Sequence, residues 1–108
     1  MMPDNWINIC KISDVPEDEP FCFAVSEEKN VAIYKLDEDF FCTDDLCTHG
    51  NASLSEGFQD EGIIECPFHG GAFDIRTGEP TSYPCIKAIS TYRVKVDGDT
   101  IMIAYGGE

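Results

Sequence analysis

Two short strings hold the residues best suited to chemistry in this chain: Cys47-Thr48-His49-Gly50 and Cys66-Pro67-Phe68-His69-Gly70. Each pairs one thiolate with one imidazole, and sixteen residues separate His49 from Cys66. Brought together, the two loops offer a metal site two sulfur and two nitrogen ligands. That donor set suits one tetrahedral zinc, and it also suits a two-iron, two-sulfide cluster with two Cys on one iron and two His on the other. Ligand order favours the cluster. Structural Cys2His2 zinc sites usually place both Cys in one knuckle and both His in a following helix, whereas here Cys and His alternate. A Gly follows each His directly (Gly50, Gly70), which suits a backbone bending closely around a bulky group. The chain has only two His, and finding each of them two or three residues beyond a Cys argues against four side chains that merely fill a core.

Extended by a few residues, these strings read Cys47-Thr48-His49-Gly50-Asn51-Ala52-Ser53-Leu54-Ser55-Glu56-Gly57 and Glu65-Cys66-Pro67-Phe68-His69-Gly70-Gly71-Ala72-Phe73. In that form the sequence resembles the Rieske iron-sulfur proteins, above all the small Rieske ferredoxins that serve bacterial aromatic-ring-hydroxylating dioxygenases. The resemblance implies an all-β Rieske fold, a small antiparallel β-sandwich or barrel of short strands. It implies a single domain over residues 1–108, with a cluster-binding part of about residues 43–85 made by two β-loops inserted in a sandwich base. It also implies one Rieske-type 2Fe-2S cluster held by Cys47, His49, Cys66 and His69. The thiolates of Cys47 and Cys66 would bind the inner iron, and neutral His49 and His69 the outer one. Replacing two anionic ligands by neutral ones favours the reduced state and raises the potential above that of an all-Cys ferredoxin.

The implied role is that of an electron carrier. It would take single electrons from a flavin-containing, NAD(P)H-dependent ferredoxin reductase and give them to a terminal Rieske oxygenase in aromatic hydrocarbon catabolism. Composition supports a carrier over an enzyme. Once both His are ligands none remains for the mononuclear iron of an oxygenase, which needs two His and a carboxylate. No Gly-x-Gly-x-x-Gly follows a strand, so a Rossmann-type hydride cofactor site is absent. Two other readings stay open at this point: a structural zinc module with an interaction role, and a small Rieske subunit of an NAD(P)H-dependent enzyme such as nitrite reductase. Against the high-potential Rieske proteins the chain departs in two ways. Ala52 and Phe68 stand where those proteins form a disulfide between the cluster loops, and Gly71 and Phe73 stand where they present a Ser and a Tyr hydroxyl to cluster sulfurs.

The formal charge is −14, from 21 acids and 7 bases, which argues against nucleic acid because phosphate binding needs clustered Lys and Arg. The acids come in bursts at 17–19, 27–28, 37–39, 44–45 and 60–61, read as solvated turns with a second possible use in steering a basic partner. No stretch approaches the roughly 20 apolar residues of a membrane span, and the first residues lack the basic start and apolar run of a signal peptide. The expectation is a soluble, cytoplasmic monomer. The remaining cysteines, Cys10, Cys22, Cys42 and Cys85, are expected to be reduced. The first three lie in apolar runs and read as buried thiols.

The elements that must position the ligands read as short strands. Trp6 to Ile12, Phe21 to Val25, Val31 to Leu36 and Phe40 to Thr43 are apolar runs separated by polar turns, the pattern of a small antiparallel β protein. Ile63 to Glu65 should deliver Cys66, and Ala72 to Ile75 should carry the chain away from His69. Pro80 to Cys85 reads as a proline-bearing loop. The chain closes on a hairpin in which Tyr92, Val94 and Val96 alternate with polar residues, turn at Asp97-Gly98-Asp99, and return through Ile101, Ile103 and Tyr105. No segment has the length and 3.6-residue period of a substantial helix.

Overall fold

The structure is a computed structural model, described here for residues 6–17, 19–27, 29–46, 52–67, 71–82 and 87–105. Among these residues eleven strands form three antiparallel sheets, and the only helical pieces are 3-10 turns at Ile12–Asp14 and Leu54–Glu56. The first sheet runs β1 (Trp6–Lys11), β11 (Thr100–Ala104), β10 (Val94–Asp97). The second runs β2 (Phe21–Ser26), β3 (Lys29–Leu36), β4 (Asp39–Asp44), β9 (Thr91–Tyr92). The third runs β5 (Phe58–Asp60), β6 (Ile63–Glu65), β7 (Ala72–Asp74), β8 (Pro80–Ser82). The all-β, antiparallel expectation is borne out.

β3 organises the packing. Its side chains alternate between two cores, as the period of two along a strand requires. Val31 and Ile33 join Ile9, Cys42, Ile101 and Ile103 between the first and second sheets. Ala32, Tyr34 and Leu36 face the other way, onto Leu54, Ile64, Cys66, Phe73 and Ile75 of the third sheet and its loops. Because both faces are covered, the strand is a nearly continuous apolar run instead of an alternating one. Tyr34 is wholly buried, and its hydroxyl lies 2.8 Å from Thr43 Oγ1, so the polar end of the ring is satisfied by its cross-strand neighbourhood.

Tight hairpins fix the registers. Leu36 faces Asp39 across Asp37-Glu38, Asp60 faces Ile63 across Glu61-Gly62, and Asp97 faces Thr100 across Gly98-Asp99. The residues that open these turns, Asp37, Glu61 and Gly98, all have positive φ, as two-residue hairpin loops demand.

Three expectations need correction. β3 begins at Lys29, two residues before Val31. Pro80–Ser82 is a strand, not part of a loop, and pairs with β7 at the edge of the third sheet. An edge is where a residue without an N–H can sit in a sheet. Thr91–Tyr92 does not belong to the terminal hairpin but pairs with β4 in the second sheet, at Thr43 and Cys42. The rest of that hairpin forms as expected, with Ile101 and Ile103 fully buried.

Candidate metal centre

The described residues that flank each ligand string are joined to one another in a closed base. For the second, β6 and β7 pair up to Glu65 and Ala72, and one step further the Cys66 N–H donates to the Gly71 carbonyl at 2.6 Å. Cys66 is 2 % exposed and belongs to the apolar cluster between the second and third sheets. Of the four expected ligands it is the one the description includes. Cys47, His49 and His69 lie outside the described residues, as do Phe68 and Cys85.

The base of the first string is built from Asp44, Asp45 and Leu46 on one side and Ala52 to Ser55 on the other. Leu46 and Ser53 form an antiparallel bridge, and the Leu54 N–H donates to the Asp45 carbonyl at 2.7 Å. The Asp45 side chain is 4 % exposed. One of its oxygens accepts from the Ser55 N–H at 2.8 Å, and the other accepts from the Ser53 hydroxyl. Its own N–H donates to the Asn30 carbonyl at 3.1 Å, which anchors the loop to the start of β3.

The two bases are held against each other. Ala52 and Leu54 from the first share an apolar cluster with Cys66 from the second. Gly57 marks the closest approach of the backbones: a Cβ there would lie 2.0 Å from the Glu65 carbonyl oxygen, one residue before Cys66. Only glycine permits that contact, because any side chain would drive the two segments apart.

Two readings of exposure change. Asp44 and Asp45 are not solvated acids. Asp45 is buried as described, and Asp44 pairs with Lys29 Nζ at 3.0 Å and accepts the Tyr92 hydroxyl at 2.5 Å. Burial first, and then the Asp44 carboxylate, hold the Tyr92 hydroxyl well above its usual pKa. Cys42 is buried at 2 % exposure, as expected, and Cys10 is partly so. Cys22 is exposed, because the alternation of β2 turns it outward with Ala24 and Ser26. Burial pushes the Cys42 thiol up most strongly, and the Cys10 thiol to about 11. Both therefore stay protonated at neutral pH, unlike a metal-ligating thiolate.

The residues described fit a buried metal-sulfur group. A ligating thiolate needs an apolar surround that excludes water and a fixed backbone, and Cys66 has both. A groove of about 1100 Å³ on the described surface runs past Lys35, Phe58, Gln59, Glu65 and Arg76 and contains neither Cys nor His, so it offers such a group no sulfur or imidazole ligand. No helix among the described residues is long and apolar enough to cross a membrane.

Comparison with known proteins agrees with this architecture. The family model described as "Rieske [2Fe-2S] domain" matches residues 5–93. The ferredoxin component of the naphthalene 1,2-dioxygenase system of Pseudomonas aeruginosa is 39 % identical over 102 residues, covering 94 % of this chain and 97 % of that one. The Sphingomonas yanoikuyae B1 ferredoxin superposes with a TM-score of 0.90 at 42 % identity, covering 94 % of this chain and all of that one. A structure titled as the complex of reduced oxygenase and oxidized ferredoxin in carbazole 1,9a-dioxygenase matches with a TM-score of 0.88 at 38 % identity, covering 94 % of each chain. Motif, fold and matched span agree, and the chain belongs to the Rieske [2Fe-2S] family, whose members hold one two-iron, two-sulfide cluster.

Proposed function

We propose that this protein is a Rieske ferredoxin, carrying one electron at a time from a flavin-containing, NAD(P)H-dependent reductase to a terminal aromatic-ring-hydroxylating dioxygenase. Cys47, His49, Cys66 and His69 hold the cluster, within a cluster-binding part over about residues 43–85 of a single domain. The observation that carries the reading is the joined pair of loop bases, with Cys66 sealed in apolar surroundings where they meet. When bound, the cluster takes up and releases a single electron. The chain supplies the rest: an apolar cluster that keeps water from the thiolate side, and two short backbone closures, at Leu46–Ser53 and Cys66–Gly71, that limit rearrangement of the ligands between oxidation states. His49 and His69, on the outer iron, would face the partner and give the shortest electron path. The protein works as a cytoplasmic monomer and contributes no substrate site. Recombination tests the reading. Added to an NAD(P)H-dependent ferredoxin reductase and a Rieske dioxygenase, the chain should restore aromatic cis-dihydroxylation, and it should form no product with either partner alone. A chain that is reduced by the reductase but passes electrons to no Rieske oxygenase would overturn the proposal.

A further inference from the structure

The buried Asp45 has no place among the expected ligands, yet both its side chain and its backbone bond to the base of the first ligand loop. Its carboxylate takes the Ser55 N–H at 2.8 Å and the Ser53 hydroxyl, while its carbonyl takes the Leu54 N–H at 2.7 Å. Its N–H reaches back to Asn30, and the exposed Cys22 thiol points at the same carboxylate from 3.8 Å. Ser53 and Ser55 are themselves 2.9 Å apart through their hydroxyls. A carboxylate 4 % exposed is costly unless its lone pairs are filled, and here they are filled by groups from the far end of the loop that begins at Cys47. The chain thus spends a buried charge on fixing the separation of the two loop ends.

We infer that Asp45 is a positioning residue that clamps the first ligand loop shut and so retains the cluster. The inference rests on the assignment of Cys47 and His49 as ligands made above. Partners that orient metal ligands are worth about 10- to 100-fold in metal retention. Asparagine can keep the clamp: its oxygen can still accept from the Ser55 N–H, and its amide can donate to Ser53, whose hydroxyl then turns to Ser55. Alanine can keep neither bond.

The test uses the cluster-loaded protein and follows bleaching of its visible absorption in excess EDTA, with electron paramagnetic resonance of the dithionite-reduced sample and circular dichroism to confirm the fold. Asp45→Ala should lose the cluster about 10- to 100-fold faster than wild type and broaden the resonance lines, whereas Asp45→Asn should stay within about threefold with wild-type line shape. Ile103→Val, in the core between the first two sheets, lowers stability without touching the loop and should leave both readouts unchanged. If Asp45→Ala does not fold, Ser53→Ala removes one of the two side-chain bonds and should accelerate loss about 3- to 10-fold. Equal loss rates in wild type and the folded clamp variants, or acceleration by Ile103→Val of the same size, would overturn the inference. A wild-type protein without a Rieske signal would overturn the ligand assignment as well, and would be seen before any variant is made.

Discussion

Gly71 directly precedes β7 and Phe73 is its middle residue, both are buried, and neither has a side chain that can donate a hydrogen bond. High-potential Rieske proteins, from which the chain departs here, present hydroxyls at these two positions. Fewer donors stabilise an added electron less, so the midpoint potential should lie near the low end of the Rieske range of about −150 to +300 mV. Gly71→Ser and Phe73→Tyr should each raise it in a redox titration, and a wild-type value well above zero would contradict the argument. A second prediction at this scale concerns protons. Burial, and then the charge of Asp14, raise the Cys10 thiol from 9.0 to about 11. A thiol that binds its proton more tightly folded than unfolded contributes stability that is complete below pH 9 and lost as the pH climbs through 11. Denaturant midpoints should therefore hold steady near neutrality and fall above pH 9, with Cys10→Ala removing part of the fall. The Rieske family was legible in the sequence because residue type and spacing in the two Cys-His strings carry the resemblance. The burial of Asp45 was not, since an acid beside a turn looks the same whether it faces water or two serines across a loop. Cys22 misled in the same way: Phe21-Cys22-Phe23 reads as apolar, and only the phase of β2 puts the sulfur outside.

Among the elements, the contact between the exit of the first loop and the strand entering the second depends most on a single residue. Gly57→Ala would push a Cβ to 2.0 Å from the Glu65 carbonyl oxygen and 3.2 Å from the Leu54 carbonyl oxygen. Neither neighbour is a flexible side chain, so β6 must shift and Cys66 with it. Overpacking of this kind costs about 1 to 3 kcal/mol. The expected outcome is a lowered denaturant midpoint together with an altered Rieske resonance, and an unchanged midpoint would show that the two segments can slide apart freely. Gly98→Ala provides the contrast, since nothing lies within 4 Å of its Cβ position and the only cost is its φ of +67. The strands that could be read from sequence were those with a long apolar run, such as β3, or clean alternation, such as β10 and β11. β8 was missed because proline within a run argues against a strand unless the strand is known to be at an edge. The two residues of β9 are too few to carry a period, and their partner on β4 is decided by tertiary pairing.

For the molecule as a whole, the charge of −14 bears on partners through the acids that face solvent. Asp44 and Asp45 leave that set, because one is ion-paired and the other buried. Glu56 and Glu65 remain exposed beside the bases of the two ligand loops, whereas Glu27 lies in the turn between β2 and β3. Raising ionic strength from about 0.01 to 0.15 M shortens the Debye length from about 30 to 8 Å. Second-order electron-transfer rates with a basic partner should fall accordingly. In stopped-flow experiments Glu56→Gln with Glu65→Gln should slow transfer several-fold at low salt, and Glu27→Gln should have little effect. Rates indifferent to salt would leave the acids as a solubility coat. All of this depends on the proposed assignment of Cys47, His49, Cys66 and His69 as ligands, and electron paramagnetic resonance of the dithionite-reduced protein tests it most directly. Wild type, Cys10→Ser, Cys22→Ser and Cys42→Ser should give the Rieske signal of one unpaired electron per chain, and His49→Ala and His69→Ala should give none. A colourless, resonance-silent wild type containing zinc, or a Rieske signal that survives loss of either His, would contradict the account.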